Sequence, residues 1–148
     1  MIRRATIQDL PALLTLEAEA FTGDRISQRS FRHLLTKANA ISLVDEDDAG
    51  LCGYVTVLFN RATALARLYS IAVAPRCRGR RKGELLLGAA EDASRQRGCS
   101  ALRLEVRPDN ATARGLYGKG GYRSIGVYER FYEDGADAVR LEKQLSTE

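Results

Sequence analysis

Two stretches of this sequence put residues that can do chemistry at spacings the chemistry needs. The first is Arg76-Cys77-Arg78-Gly79-Arg80-Arg81-Lys82-Gly83, followed directly by Glu84-Leu85-Leu86-Leu87. A loop that enters a helix offers several backbone N–H groups without internal partners, and the helix dipole adds positive potential at the same point. Such a turn is suited to a diphosphate, and arginine and lysine side chains add charge-assisted hydrogen bonds to the same oxygens. The stretch fits neither the G-x-x-x-x-G-K-[ST] nor the G-x-G-x-x-G pattern. Taken alone, it is equally well a basic surface loop. The second stretch is Leu104-Glu105-Val106-Arg107-Pro108-Asp109-Asn110-Ala111-Thr112-Ala113-Arg114-Gly115-Leu116-Tyr117. It brings a carboxylate, a helix-capping amide and a phenol into one short segment.

Other reactive side chains are few. A Ser-His-Asp or Cys-His nucleophile would need His33, the one histidine in the chain, and nothing beside it would activate a partner. It reads as a helix-surface or satisfied core histidine. Cys52, Cys77 and Cys99 are odd in number and form no C-x-x-C pair, so neither a disulfide framework nor a zinc site is expected. No metal is expected either.

The 148 residues, 45% hydrophobic and 28% charged, have the balance of one globular domain rather than of a disordered tail or a disulfide knot. No run approaches the roughly 18 apolar residues of a membrane span, and Met1 leads into Ile2-Arg3-Arg4 without an apolar leader. A cytoplasmic protein is expected, with no membrane partner. Lys plus Arg number 23 against 19 Asp plus Glu, a net charge of +4 that suits anionic partners. The acidic run Asp45-Glu46-Asp47-Asp48 reads as a solvated turn without function.

These residues need elements to position them. Residues 2–5 read as a short strand, and Thr6-Ile7-Gln8-Asp9 as a capping box before a helix carrying Leu10, Leu13, Leu14, Leu16 and Ala18. Phe21 ends that helix, and Thr22-Gly23-Asp24 turns the chain. Ser27 caps a second helix with Phe31, Leu34 and Leu35 on one stripe. Strands are predicted over 40–44 and 51–59, joined by a turn over 45–50, and over 65–73, where Pro75 stops the ladder. The basic loop opens a helix over 84–97, closed by Gly98. In the strand over 101–106, Leu102, Leu104 and Val106 face one way and Arg103 and Glu105 the other. A helix from Asn110 to Gly120 and strands over 122–128 and 138–145 complete one α/β domain, residues 1–148, with no linker or repeat.

In this order and separation, the two stretches resemble the GNAT superfamily of acetyl-CoA-dependent N-acetyltransferases, most nearly the ribosomal-protein-alanine N-acetyltransferases. The family's loop pattern Q/R-x-x-G-x-G/A falls on Arg78, Gly79, Arg80, Arg81, Lys82 and Gly83. Arg81 stands where the pattern carries its middle glycine. The pattern L-E-V-R-x-x-N-x-x-A-x-x-L-Y falls largely on residues 104–117, with Gly115 inside it. The resemblance implies a mixed, splayed central sheet of about seven strands flanked by about four helices. It implies direct acetyl transfer from acetyl-CoA to a primary amine, without metal or covalent intermediate.

By the same resemblance the pantetheine lies along Ile71, Ala72 and Val73, in the gap before the strand over 102–106. The pyrophosphate lies on the loop and on Glu84 at the helix start, with Asn110 a further coenzyme contact. An amine, with a pKa near 10.4 for lysine or about 7.7–8.0 for an α-amino group, must lose a proton before it attacks. Glu105 takes that role in the resemblance, acting through a water, and Tyr117 donates a proton to the departing thiolate. Outside the resemblance, Glu105 reads as a strand carboxylate balancing Arg103 or Arg107, and Tyr117 as a core aromatic. The acceptor side falls to the loop over 21–27 and to Tyr128-Glu129-Arg130-Phe131-Tyr132. This chain has no tryptophan, although the alanine-acetylating relatives often carry one in that loop.

The expected acceptor is a protein N-terminus, such as that of a ribosomal protein, and otherwise a small amine or a lysine side chain. The expected assembly is a monomer or homodimer. A different class of function also fits the Arg76 to Lys82 cluster: a catalytically degenerate coenzyme-binding or RNA/ribosome-binding module, with salt-steep affinity. Against nucleic acid, no aromatic residue interleaves these arginines, as single-strand binders require.

Overall fold

The computed structural model describes residues 1–21 and 25–145, so the expected turn at Thr22-Gly23-Asp24 lies outside the described residues. The strands are β1 (Ile2–Arg4), β2 (Ala40–Asp47), β3 (Gly50–Phe59), β4 (Leu65–Val73), β5 (Ala101–Val106), β6 (Arg123–Tyr128) and β7 (Ala138–Gln144). The α-helices are α1 (Leu10–Ala20), α2 (Gln28–Thr36), α3 (Lys82–Gln96) and α4 (Ala111–Lys119). The strands form a seven-stranded sheet in the order β1-β2-β3-β4-β5-β7-β6. Among the described residues, only β4 and β5 pair in parallel. No helix among the described residues is long and apolar enough to cross a membrane.

Each face of the sheet is buried by one pair of helices. Leu13, Leu16 and Phe31 from α1 and α2 pack with Val44, Tyr54 and Ala72 on one face. Leu86, Leu87 and Ala90 of α3 and Tyr117 of α4 pack with Val55, Leu102, Leu104 and Leu141 on the other. The alternation expected of β5 is what puts Leu102, Leu104 and Val106 into that second core. Arg103 and Glu105 therefore point to the opposite face, where α1 packs on β3 and β4 and α2 on β2. Among the described residues, neither α1 nor α2 packs closely on β5.

The sheet opens where β4 bends. β4 and β5 pair only at Leu65↔Ala101, Ala66↔Leu102 and Arg67↔Arg103. Just beyond, Thr56 of β3 pairs with Ser70 while Val57 pairs with Leu68, so Tyr69 is an extra residue in β4. A bulge bends its strand, and here the bend coincides with the end of pairing to β5. It also breaks the two-residue alternation. Arg67 and Ser70, three positions apart, consequently reach the same groove.

Local signals end the elements close to where the sequence places them. Thr6 accepts from Gln8 N–H and Asp9 from Thr6 N–H, the expected capping box, but it closes a short 3-10 turn (Ile7–Asp9) ahead of α1. Ser27 caps α2 through Ser30 N–H, and Asn110 caps α4 through Ala113 N–H at 3.1 Å. Gly98, with φ +82°, stands just past Arg97 at the end of α3. A 3-10 turn over Pro75–Cys77, which the sequence did not signal, leads into the basic loop. α3 begins at Lys82 rather than Glu84.

The acidic run is not a solvated turn: β2 continues through Asp47, and the turn to β3 is Asp48-Ala49 alone. Asp45 is 1% exposed.

Candidate active site

The acidic run and the basic loop neutralise one another. Arg76 pairs with both oxygens of Asp47 at 2.9 and 3.0 Å, and Arg80 turns toward the same carboxylate at 3.8 Å. Lys82 Nζ lies 3.0 Å from Asp45 Oδ2, close in distance although not aligned as a hydrogen bond. Burial pushes the Asp45 carboxyl up, but the Met1 ammonium and Lys82 outweigh it and hold the group below the usual carboxylate range. Crowded cations repel, and the neighbouring hairpin supplies the counter-charge that lets the loop fold. Arg78 and Arg81 remain exposed on the wall of a groove.

Beneath the loop, Cys52 Sγ donates to Asp47 Oδ2 at 3.2 Å. Burial, with Cys77 and Asp47 beside it, pushes its thiol up to about 12. Asp47, Cys52 and Cys77 bring three potential ligand atoms within 4.8 Å of one another, but Asp47 is committed to Arg76 and the Cys52 thiol keeps its proton.

That groove, of about 740 Å³, lies between the last residues of β4, the basic loop with the start of α3, and α4. Of the expected coenzyme residues, Ile71, Ala72, Val73, Arg78, Gly79, Arg81, Lys82, Gly83, Glu84 and Asn110 stand on its wall, and Arg80 does not. The fit to a nucleotide coenzyme is physical. Beyond Arg67 the β5-facing edge of β4 has no strand partner among the described residues, so its N–H and C=O groups are available to an extended ligand. The first turn of α3 presents N–H groups with no partner inside the helix.

Gly79 has φ +82° and Arg81 φ +57°, ψ +26°. The backbone at Arg81 is left-handed, the conformation a glycine would take freely, held here by an arginine. For a residue with a Cβ this costs about 1–2 kcal/mol. Arg81→Gly relieves it, offset by roughly 0.5–1 kcal/mol of glycine entropy. The glycine variant should therefore melt up to about 2–4 °C above wild type, whereas Arg81→Ala, which keeps the Cβ, should not. Thermal unfolding of the two variants checks this, and a glycine variant less stable than the alanine variant by the full glycine entropy would show that no strain is stored there.

Tyr117 enters the groove from α4 and is 4% exposed. Its ring meets Tyr122 edge-on at 5.7 Å. The Tyr122 hydroxyl is tied to Glu91 at 2.8 Å, and Lys143 to the same carboxylate at 3.0 Å. Burial, with Tyr132 nearby, pushes the Tyr117 phenol up to about 12. It is both a core aromatic and a groove residue.

Glu105 faces a second groove, of about 410 Å³, on the opposite face of the sheet. Its partners are neither Arg103 nor Arg107, which bind Glu142 and Asp134. Arg67 Nε donates to its Oε1 at 2.7 Å and Arg140 Nε to its Oε2 at 2.8 Å. The carboxylate is 4% exposed, and the Arg140 guanidinium lies 4.5 Å from the Tyr128 ring. Tyr69, Ser70, Phe131, Tyr132 and Glu133 complete the walls that matter here. Of the expected hairpin residues, Phe131 and Tyr132 line the groove, Tyr128 supports Arg140, and Glu129 and Arg130 lie outside it. The sequence carried no local signal for Arg67, Arg140, Ser70 or Glu133, because each reaches the site through strand register or hairpin closure.

Two grooves thus meet the sheet from opposite faces at the place where it splays, with a phenol on one and a carboxylate on the other. The Acetyltransferase (GNAT) family model matches residues 10–122 of this chain. A putative [ribosomal protein bS18]-alanine N-acetyltransferase of Bacillus subtilis is 32% identical over 93% of this chain and 91% of its own. An uncharacterized N-acetyltransferase of Methanocaldococcus jannaschii is 31% identical over 97% and 91%. Among solved structures, the ribosomal-protein-S18-alanine N-acetyltransferase of Escherichia coli superposes with a TM-score of 0.88 at 25% identity, covering 100% of this chain and 95% of that one. On this fold, this loop and these matches, the chain belongs to the GNAT family of acetyltransferases.

Proposed function

We propose that this N-acetyltransferase moves the acetyl group of acetyl-CoA directly onto a primary amine, and that its acceptor is the N-terminal α-amino group of a protein, such as a ribosomal protein. The observation that carries this reading is the pair of grooves on opposite faces of the splayed sheet. Coenzyme enters along the free edge of β4, with its phosphates at Arg78, Arg81 and the start of α3. The amine enters past Tyr69, Phe131 and Tyr132 toward Glu105. Two carboxylates, Glu105 and Glu133, on that wall suit an incoming ammonium, and an open aromatic-sided groove admits a chain end while the rest of a folded partner stays outside. The names of the Bacillus and Escherichia relatives support a protein acceptor.

In this reading Glu105, anchored by Arg67 and Arg140, takes the amine's proton through a water. Tyr117 supplies a hydrogen to the thiolate as the carbon–sulfur bond breaks. The nucleic-acid reading loses its footing, since Arg76, Arg80 and Lys82 face Asp45 and Asp47 rather than solvent alone. Calorimetry with acetyl-CoA, followed by a mass-spectrometric screen of N-terminal peptides beside polyamines and amino sugars, tests it. Binding and acetylation of peptide N-termini are expected. Tight RNA binding with no acetyl-CoA binding would reverse the assignment, and acetylation confined to small amines would replace the acceptor.

A further inference from the structure

Glu17 is a buried carboxylate that the transfer chemistry leaves without a task. It sits on α1, 2% exposed, and among the described residues its partners are hydrogen-bond donors rather than cations. Ile26 N–H donates to Oε2 at 2.7 Å, and the Tyr54 hydroxyl donates to Oε1 at 2.5 Å. The Tyr54 oxygen lies 2.7 Å from Ser70 Oγ, and Ser70 stands on the acceptor-side groove with Glu105. The direction of this chain is forced. The Tyr54 hydroxyl is the donor to Glu17 Oε1, and a phenol has one proton to give. Burial and the neighbouring Glu17 carboxylate hold the Tyr54 phenol far above its ordinary pKa, so that proton stays in place. With it committed to Glu17, the Tyr54 oxygen can only accept from Ser70. The Ser70 proton therefore points inward, and its lone pairs are left for the groove.

We infer that Ser70 Oγ is the hydrogen-bond acceptor for the attacking amine, held in that polarity by Glu17 through Tyr54, and that this makes the site selective for primary over N-alkylated amines. The inference rests on the transfer reading above. A neutral primary amine has one lone pair and two N–H groups. Aiming the lone pair at the thioester carbon leaves two N–H groups to place. Ser70 Oγ takes one, and the water in front of Glu105 takes the other. A secondary amine has a single N–H and leaves one of these acceptors unpaired, and sites built to hydrogen-bond a group reject analogues that lack it. Ser70 touches the substrate; Tyr54 and Glu17 are positioning residues.

The test compares kcat/KM for a primary amine and its N-methylated counterpart in the wild type and in Ser70→Ala, Tyr54→Phe and Ser70→Thr. The amine is whichever of an alanyl hexapeptide, a lysyl hexapeptide and spermidine the wild type acetylates fastest. Ser70→Ala should lower kcat/KM for the primary amine about 10–100-fold, as for the loss of one hydrogen bond near charge, and bring the primary-to-methylated ratio close to one. Tyr54→Phe should shift the ratio the same way. It makes no room for the methyl group, because Ser70 keeps its hydroxyl and its volume. Ser70→Thr should restore the wild-type ratio. A wild-type ratio in both Ser70→Ala and Tyr54→Phe overturns the inference alone. A wild type that binds acetyl-CoA yet acetylates none of the three amines overturns the transfer reading, and this inference with it.

Discussion

Replacing Tyr117 with phenylalanine should reduce turnover about 10²–10⁴-fold, the range for loss of a positioned proton donor, with coenzyme affinity close to wild type. The ring keeps its edge-on contact with Tyr122 and its place in the core, so only the hydroxyl is lost. Burial pushes that hydroxyl up to about 12, while an ordinary thiol titrates near 8.5. Full transfer of its proton to a free thiolate is therefore uphill, and its effect comes through hydrogen bonding to sulfur as charge builds. Two consequences follow for measurement. The Tyr117→Phe deficit should be independent of pH, and it should shrink with an acetyl thioester of a more acidic thiol, which needs less help to leave. In the wild type, the phenol should produce no alkaline fall in rate until the pH approaches 12. The stability sign is the same: a phenol raised in the folded state favours folding below its unfolded pKa near 10, and that contribution disappears as pH climbs from there through 12. A pH-dependent Tyr117→Phe deficit, or a normal rate in that variant, would remove Tyr117 from the reaction.

Glu105→Gln should cost a comparable factor of about 10²–10⁴ at neutral pH, but with the opposite pH behaviour. As pH rises toward the acceptor's own pKa, about 7.7–8.0 for an α-amino group, more amine arrives already deprotonated and the deficit narrows. The variant carries a second effect that arises from strand register rather than from any local motif. A glutamine amide offers a donor where Arg67 or Arg140 expects an acceptor, so one guanidinium loses its oxygen. With Arg67 41% and Arg140 25% exposed, water takes up part of the loss, and about 1–3 kcal/mol of stability is the expected cost. Thermal unfolding beside the kinetics separates the two. A pH-independent loss in Glu105→Gln would show that Glu105 does not take the amine's proton.

Features encoded within a single turn or pleat are legible in the residues alone. Thr6, Ser27 and Asn110 sit next to the N–H groups they cap, and Gly98 is adjacent to the helix end it terminates. Leu102, Leu104 and Val106 announce their common face by alternation. The loop over 78–83 and the segment over 104–117 are contiguous, so the basic loop, the Glu105 strand and the Tyr117 helix are each written in one piece of chain. The charges and hydroxyls that meet across register are settled by the fold instead. Arg67 and Arg140 reach Glu105 over separations of 38 and 35 residues, and Tyr54 reaches Glu17 over 37. Asp45 and Asp47, written as part of a hydrophilic run, become counter-ions because β2 extends through them and carries them to the basic loop. The bulge at Tyr69 matters most. One extra residue shifts the two-residue parity of β4, so Ser70 joins Arg67 on the Glu105 face. Parity is set by the pairing partner on β3, and no local pattern in β4 records it.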